Sequence, residues 1–493
     1  MTVVLAGTHL TRDEVARVAR DDELVGLARH ALERMMATRA VVEERLAAGD
    51  PIYGSSTAVG VLKRVGVDAD AAAAYAGRML HHHLVGQGAP VSRDMVRATM
   101  VRLANGFAAG YPGVRPALAE RLVDALNRGE TPKIRSLGSV GMADLAQMAD
   151  LATALFDGIA LAPGEGLALL SNNAFSTAGA ALAVHDAAAL LDAMEAAGAV
   201  SLEAMAVNPT MLTAAIADAR PYPGLRRTLG RLGDLLAGSA IFEPGRARHL
   251  QDPLSFRDLP QIQGAVRDAF DHVDAQLAIE LNASQGNPIV LLEERRVVSV
   301  ANFEILPLAA ALDYLRIVLA SALSVSAERS VKHLETPWSG LPTGLSAADD
   351  RSDAGLSYHG IAAQSIAAEA RLLAAPVSYE LVSTAHAEGI EDRMSLAPLA
   401  ARRLAEMVEL GNRLVAIEAV VAAQAADLRG VEPRGRGTSR VVAVVRALVP
   451  YLAAGDLVAD IEPLVVEIRA GALSGPLASG TLVSSPFASG PDA

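Results

Sequence analysis

Apolar residues recur every three or four positions over much of this chain, which is the spacing of one face of an α-helix. Long stretches with this period predict three long helices, at 260–281, 308–333 and 396–428. Strict alternation of apolar and polar residues, the pattern of a half-buried strand, is rare by comparison. The pattern therefore predicts an all-α fold, a bundle of long helices with a few short strands.

Side chains that favour helix starts mark two further helices near the N-terminus. Thr11 and Glu14 have the spacing of a capping box, in which each side chain bonds the other residue's backbone amide. Ser92 precedes a second periodic segment and is expected to cap it. The main strand signal lies at 289–292 and 297–300, where a charged turn separates two short apolar runs and predicts one hairpin.

Signals for domain boundaries are weak, so we expect one interlocked helical body. Its N-terminal part is assigned to 1–200, and a central and C-terminal helical bundle to 201–472. Gly, Ser and Pro dominate 473–493, which predicts a flexible tail. The same residue types, together with Asp, interrupt the helical pattern at 340–355 and predict a long exposed loop.

One uncharged run, 166–184, approaches the length that crosses a membrane. It contains Ser171, Asn172 and Asn173, whose polar groups disfavour a lipid-exposed helix, so it predicts a helix buried in the protein. Residues 1–10 lack the basic start and the apolar stretch of a secretory signal. We therefore expect a cytoplasmic protein with no membrane partner.

Composition excludes several function classes. Of the 493 residues, 51% are hydrophobic and only 3% aromatic, which suits helices packed on one another. The formal net charge of −13 disfavours a nucleic-acid partner, whose phosphates would repel it. The chain has no cysteine, so disulfides, thiolate metal sites and cysteine nucleophiles are excluded. His81, His82 and His83 are consecutive, and neighbours on a helix point in different directions, so we expect no metal site.

Short motifs stand in one order over almost the whole chain. They are Pro51-Ile-Tyr-Gly54 with Thr57 and Gly60; His83 with Gly86, Gly88 and Pro90; Gly138-Ser-Val-Gly141 and Asp144-Leu-Ala146; Glu165-Gly-Leu-Ala-Leu-Leu170; Gln251-Asp-Pro253 with Ser255 and Arg257; Pro260-Gln261 with Gly264; Asn287-Pro288; Asn302-Phe303; and Glu391-Asp392 with Ser395 and Ala397-Pro398. Their order and spacing, over roughly residues 1–472, resemble the histidine/phenylalanine (aromatic amino-acid) ammonia-lyase family. The resemblance implies an almost entirely helical fold and a homotetramer whose active sites are shared between subunits.

The resemblance fails at the residues from which the family makes its electrophile. Family enzymes cyclise an internal Ala-Ser-Gly triplet into a methylidene-imidazolone (MIO), which captures the substrate amine and makes it a leaving group. Here Gly141-Met142-Ala143-Asp144 has two residues where the family has three, and neither is serine. Ser139 is also present in ordinary members, and the Ala-Ser-Gly triplets at 478–480 and 488–490 fall in the tail. We expect no MIO cofactor.

Four residues match family positions that handle protons or hold the substrate. The resemblance makes Tyr53 the catalytic base, although a phenol with a pKa near about 10 needs help at neutral pH. It makes Arg257 the group that grips the substrate carboxylate through its planar fork. His83 falls on the family histidine near the substrate ring, and Glu391 on a position where histidine lyases carry glutamate. A buried hydrogen-bonded tyrosine, a structural ion pair and a helix-start carboxylate are the competing explanations for Tyr53, Arg257 and Glu391.

Other positions of the predicted pocket are either retained or changed. Gln251 is retained, and Phe303 is expected to line or support the pocket, or else to serve only the core. Ser171 stands where the family has a catalytic asparagine, with Asn172 one place further along. Leu254 replaces a tyrosine that is important in ordinary lyases. The changes cluster at the site and not in the scaffold.

Three functional hypotheses follow from these residues. The first is an MIO-independent enzyme that acts on a small carboxylate-bearing, amino-acid-derived substrate by acid/base elimination, conjugate addition, cyclisation or isomerisation. It is preferred because base-type and carboxylate-binding residues survive together. The second is a catalytically inactive binding or regulatory paralogue of an ammonia-lyase. The third is a conventional histidine-type ammonia-lyase with an unforeseen route to the cofactor.

Overall fold

Helices make up most of the structure, as the apolar periodicity predicts. The computed structural model describes residues 2–68, 72–348, 353–379 and 389–474. The helices in these residues are α1 (Arg12–Arg20), α2 (Arg29–Ala47), α3 (Ala72–His82), α4 (Arg93–Ala108), α5 (Pro116–Asn127), α6 (Leu145–Phe156), α7 (Glu165–Leu170), α8 (Ala174–Met205), α9 (Ala215–Ala219), α10 (Pro223–Leu235), α11 (Leu254–Arg257), α12 (Leu259–Glu280), α13 (Leu306–Leu334), α14 (Thr336–Ser339), α15 (Ser357–Leu373), α16 (Ala397–Arg429), α17 (Arg436–Leu448) and α18 (Glu462–Arg469). The strands form two-stranded sheets, which are parallel β1 (Thr2–Leu5) with β2 (Leu24–Leu27), antiparallel β3 (Gln87–Pro90) with β4 (Arg135–Leu137), and antiparallel β5 (Ile289–Leu291) with β6 (Arg296–Val298). The all-α prediction is confirmed.

The two predicted helix starts differ in how they are capped. At α1 the capping box forms, because the Thr11 hydroxyl accepts from the Glu14 amide at 3.2 Å and a Glu14 oxygen accepts from the Thr11 amide at 2.9 Å. At α4 the helix begins directly after Ser92, but no side-chain cap forms there. The Ser92 hydroxyl donates to the Asp94 carboxylate instead. The neighbouring acid supplies an acceptor that the sequence pattern did not take into account.

The predicted long helices are present as α12, α13 and α16, with ends shifted by one or two residues. The uncharged run is buried as predicted, but 171–173 break it into α7 and α8. Among the described residues, two helical stretches pass a length and composition test for a membrane span, Glu165–Met205 and Leu306–Leu334, and 72% and 61% of their apolar windows are buried in the protein. Such burial is what the core helices of a globular protein have.

The predicted hairpin is confirmed, and the predicted loop only in part. In the hairpin, Ile289 pairs with Val298 and Leu291 with Arg296. Within the loop predicted at 340–355, the described part is packed, because Leu345 is fully buried. Gly344 has a φ of +68°, and an added Cβ would lie 2.1 Å from the Ala354 carbonyl oxygen, so this close approach requires glycine. Residues 349–352 and the predicted tail after 474 lie outside the described residues.

The chain folds into two compact units, each assembled from separate segments. Unit 1 comprises Met1–His185, Val273–Asp313 and Pro376–Leu404. Unit 2 comprises Asp186–His272, Tyr314–Ala375 and Ala405–Ala493. This differs from the predicted division into 1–200 and 201–472. Four of the five boundaries fall inside long helices, and the packing of such helices brings together segments that are distant in sequence.

A fully buried ion pair stabilises unit 2. Arg329 binds Glu418 through two hydrogen bonds, from Nε to Oε1 at 2.6 Å and from Nη2 to Oε2 at 2.9 Å. Two serine hydroxyls, those of Ser201 and Ser326, also donate to this carboxylate. Arg329 Nη1 donates to the Ser255 carbonyl at 3.1 Å, so the pair also supports α11.

A buried histidine makes the stability of unit 2 depend on pH. Burial lowers the pKa of His333 from 6.5 to about 3, with nearby Arg429 and Arg329 acting in the same direction. Between those pH values the unfolded chain binds a proton that the folded chain does not bind. We therefore expect this group to lower the free energy of unfolding by up to about 1.4 kcal/mol per pH unit as the pH falls below about 6.5. Above that pH it contributes no slope.

Denaturant titrations of wild type and His333→Phe across this pH range measure the effect. Phenylalanine is the matched replacement because the imidazole already meets the Phe256 ring edge-on, with ring centroids 5.3 Å apart. The variant is expected to lose the part of the acid slope that this histidine supplies. Identical slopes in the two proteins would contradict a buried neutral histidine.

Candidate active site

The loop that carries Tyr53 packs on α7. Gly54 has a φ of +70°, and an added Cβ would lie 2.3 Å from Leu167 Cδ2, so glycine allows this approach. The Tyr53 hydroxyl oxygen accepts a hydrogen bond from the Gly60 amide at 2.9 Å. Burial raises the pKa of Tyr53, the Gly60 amide opposes that shift, and the carboxylate of Glu391 adds to it. Glu391 is exposed, but it is close enough for its charge to act on the phenol.

The end of α7 supplies Ser171 and Asn172, whose side chains make different contacts. The Asn172 amide group is engaged by backbone, because its Nδ2 donates to two α7 carbonyls at 3.1 Å and its Oδ1 accepts from the Ala174 amide at 3.0 Å. It joins α7 to α8. Ser171 and Asn172 are both buried and line the same cavity together with Ser55 and Arg102, but only the Asn172 side chain is held by these backbone contacts. Of the two, Ser171 is the better placed to meet a ligand.

The loop Gly141–Asp144 is fixed by polar contacts on both sides. The Gly141 carbonyl accepts from Asn173 Nδ2 at 2.9 Å and from the Ser395 hydroxyl at 2.8 Å. Gly141 has a φ of +82°, and an added Cβ would lie 2.3 Å from the Ser395 oxygen. The Met142 backbone forms an isolated bridge with Glu304, which follows Phe303 in the sequence. The loop is therefore held between the segments that carry Phe303 and Glu391.

Asp144 anchors the end of this loop and does not face solvent. Its carboxylate accepts from the Ser139 hydroxyl at 2.7 Å, from the Ser176 hydroxyl at 2.6 Å and from the Ser176 amide at 2.8 Å. Burial raises the pKa of Asp144, and the hydrogen bonds oppose that shift. Asp144 precedes α6 and fastens it to the start of α8. Asp144 therefore has a structural role.

His83 lies just beyond the end of α3 and is partly buried. Its Nδ1 lies 2.8 Å from the Met79 carbonyl oxygen, and because a carbonyl only accepts, Nδ1 carries the hydrogen. In the neutral ring the lone pair is then on Nε2, which suits an acceptor or a base. Phe303 is also partly buried, one residue from the strand bridge to Met142.

Three predicted site residues belong to unit 2, with Gln251 shortly before α11 and Leu254 and Arg257 at its two ends. Gln251 is exposed, Leu254 is 61% exposed, and Arg257 is partly buried. Within the described part of the chain, no hydrogen bond or ion pair engages the Arg257 guanidinium. Burial raises the pKa of the nearby carboxylates of Asp252 and Asp258, and the charge of Arg257 acts to lower it, but its fork makes no hydrogen bond to either among the described residues. The backbone of α11 is held through the bond from Arg329 to Ser255.

Residues 10–158 and 156–447 match the family model described as aromatic amino acid lyase. The chain belongs to the aromatic amino acid lyase family. A histidine ammonia-lyase of Treponema denticola is 32% identical over 470 residues, which are 90% of this chain and 92% of that protein. The crystal structure of ergothionase, an ergothioneine-degrading enzyme of Treponema denticola, in complex with desmethyl-ergothioneine sulfonic acid, has a TM-score of 0.90 and 27% identity and covers 96% of this chain and 99% of that one. Tyrosine aminomutase of Streptomyces globisporus has a TM-score of 0.88 and 27% identity, with 96% and 98% covered.

The loop 141–144 of this family member does not fit the MIO group that the family resemblance implies. None of the four residues Gly141–Asp144 has a hydroxyl that could be lost to make the exocyclic methylene. The nearby Ser139 hydroxyl is engaged, since it donates to Asp144 and accepts from the Gly141 amide at 3.0 Å. Ala143 stands at a φ of +62° with its side chain buried, in a conformation that favours glycine.

Sequence reasoning missed Tyr75 and left Asn173 and Ser395 without a role. Tyr75 lies on α3, and its hydroxyl oxygen accepts from the Val59 amide at 3.0 Å, next to the amide that binds Tyr53. A single aromatic residue in an alanine-rich helix gave the only signal. Among the described residues, no group of three or more His, Asp or Glu side chains is arranged to hold a metal ion.

Proposed function

We propose that this lyase-family protein works without MIO and eliminates a tertiary amine from a small carboxylate-bearing betaine derived from an aromatic amino acid. The observation that carries the proposal is the pairing of a cofactor loop with no hydroxyl and an intact candidate base. Gly141–Asp144 lack the serine, while Tyr53 keeps a hydroxyl that is bound by an amide donor and influenced by the charge of Glu391.

The leaving group decides whether an electrophile is needed. A primary amine leaves poorly, and MIO supplies the activation in ordinary members of the family. A quaternary ammonium leaves as a neutral amine with no such help. Ergothioneine, named for the similar ergothionase structure, is a betaine with a trimethylammonium group next to its carboxylate. Substrates of this class fit a family site in which the electrophile is lost and the base is kept.

The proposed step is a single elimination. The Tyr53 phenolate takes a proton from the carbon next to the one that bears nitrogen. The electrons of that C–H bond form the carbon–carbon double bond, and the C–N bond breaks with its pair on nitrogen. The products are a neutral tertiary amine, an unsaturated carboxylate and the protonated phenol, which returns its proton to water. The family resemblance assigns the substrate carboxylate to Arg257, and polar groups of the substrate ring to His83 and Glu391.

A catalytically inactive binding or regulatory paralogue is the second candidate function. The observation that favours it is the same loop, because loss of the electrophile also removes ordinary ammonia elimination. The retained hydroxyl of Tyr53 and the unengaged guanidinium of Arg257 favour the enzyme. Conjugate addition, cyclisation and isomerisation use the same base and stay alternatives to elimination.

We also propose a cytoplasmic homotetramer, on the basis of the family resemblance. The surface of the isolated chain supports association through α15. There Tyr358 is 71% exposed, Ile361 is 68% exposed and Leu372 is 74% exposed, and apolar area of this kind is usually covered in an assembly. Neither nucleic acid nor membrane is proposed as a partner.

The test incubates the full chain with ergothioneine and with the betaines of histidine, phenylalanine and tyrosine, and measures trimethylamine release. At least one betaine is expected to turn over, and the matching primary amino acid is not. Intact mass is expected to equal the unmodified sequence. Binding of betaines without turnover of any would favour the regulatory paralogue. A mass lower by two water molecules within 141–144, together with ammonia release from histidine, would make the protein a conventional ammonia-lyase.

A further inference from the structure

Two phenols are held by successive amides of one loop. The Gly60 amide donates to the Tyr53 oxygen at 2.9 Å, and the Val59 amide donates to the Tyr75 oxygen at 3.0 Å. These amides belong to adjacent residues, and the two phenols are close enough for the charge of Tyr53 to act on Tyr75. Each amide uses one lone pair of its phenol, which leaves the hydroxyl hydrogen of Tyr75 for another acceptor.

The same short helix supports both tyrosines. Gly54, the neighbour of Tyr53, packs on Leu167 of α7 so closely that an added Cβ would lie 2.3 Å from Leu167 Cδ2. The adjacent α7 residue, Gly166, meets the neighbour of Tyr75, and an added Cβ there would lie 3.0 Å from the Ala76 carbonyl oxygen. The backbone beside each tyrosine therefore packs closely on α7, which helps to preorganise the two phenols.

Electrostatics couple the ionisation of the two phenols. Burial raises the pKa of Tyr75, and the negative charge of Tyr53 raises it further, while the Val59 amide and Arg78 act in the opposite direction. On the other side of the pair, Glu391 acts on Tyr53. Two like acids that act on each other resist double ionisation, so a phenolate at Tyr53 favours the protonated form of Tyr75.

We propose that Tyr75 is a second phenol of the active site, which stays protonated beside the Tyr53 phenolate and donates a hydrogen bond to the charge that develops on the substrate as its proton leaves. This inference rests on the proposed elimination and adds a residue to it. Tyr75 donates but does not transfer its proton, so it changes no bond in the elimination step. Its role resembles that of an oxyanion-hole donor, which acts most strongly on charge in the transition state.

Kinetics of Tyr75→Phe with the betaine that turns over test the donor role. We expect kcat/KM to fall by about 10²-fold, the loss expected for one such donor. In wild type the pH profile rises as Tyr53 loses its proton and falls as Tyr75 loses its own. In the variant the rising limb is expected to remain and the falling limb to disappear. A structural role would lower the rate and keep both limbs. Tyr111→Phe, on an exposed tyrosine of unit 1, is the matched control and is expected to keep both limbs and the rate.

An ultraviolet titration of tyrosinate separates this inference from the proposed function, because it needs no substrate and no change at Tyr75. Relative to wild type, Tyr53→Phe is expected to lose one titrating phenol and to shift another to lower pH, since the charge that raised the pKa of Tyr75 is gone. No such shift would overturn the phenol pair, whatever the substrate. A shift without turnover of any betaine would overturn the proposed elimination alone. Turnover by Tyr75→Phe with the wild-type rate and both limbs would overturn the donor role while leaving the elimination in place.

Discussion

Replacing Tyr53 with phenylalanine is expected to lower kcat for the betaine substrate by about 10²–10⁴-fold, the range that a positioned general base contributes. The change removes one oxygen, which accepts from the Gly60 amide, and leaves the ring in its packing against the loop. Binding of the betaine, measured by calorimetry, is expected to stay near the wild-type value because Arg257 still holds the carboxylate. An unchanged kcat would show that another group removes the proton.

Removing the charge of Glu391 tests the role of Tyr53 in a second way, because it predicts the direction in which the pH profile shifts. Because its carboxylate raises the pKa of Tyr53, a smaller fraction of the phenol is ionised at neutral pH than the amide alone would allow. Glu391→Gln removes that charge and is expected to lower the pKa of Tyr53. The rising limb of the kcat/KM profile then moves to lower pH. A shift to higher pH would mean that Glu391 assists ionisation and does not oppose it.

The fold could be predicted from the sequence where local rules decide it. Helical periodicity located α12, α13 and α16, and the capping box located the start of α1. At Ser92 the rule gave the right boundary and the wrong hydrogen bond, because a nearby Asp94 competes for the hydroxyl. The division into two units, whose segments alternate along the sequence, could not be predicted. It depends on which helices pack together and not on any local signal.

The candidate site shows the same limit. Motif order identified Tyr53 and the loop 141–144, which the fold brings into unit 1 with Glu391. The pattern could not show that the Asn172 side chain forms hydrogen bonds with backbone groups. These bonds form only because the helix is interrupted between α7 and α8. Tyr75 was missed for a related reason. Its contact with the Tyr53 loop joins residues that are sixteen positions apart and share no sequence pattern.

The buried ion pair of Arg329 and Glu418 is expected to affect both the stability of the protein and its binding of substrate. Both side chains are shielded from water, and the guanidinium uses its remaining nitrogen to hold the Ser255 carbonyl of α11. Removing one partner of such a pair leaves an uncompensated buried charge, which costs about 3–5 kcal/mol. An exposed pair in the same unit, Arg227 with Asp271, gives a comparison in which water screens the charges.

Glu418→Gln is therefore expected to lower the free energy of unfolding by about 3–5 kcal/mol in denaturant titrations. Asp271→Asn, the exposed control, is expected to change it by less than about 1 kcal/mol. Because Arg329 also supports α11, the folded fraction of Glu418→Gln is expected to show a raised KM for the betaine, whose carboxylate Arg257 binds, with kcat less affected. Equal losses of unfolding free energy in the two variants would show that the buried pair of Arg329 and Glu418 is no more stabilising than the exposed pair. An unchanged KM in folded Glu418→Gln would show that the Arg329–Glu418 pair does not position α11 for substrate binding. Other contacts would then hold Arg257 in place.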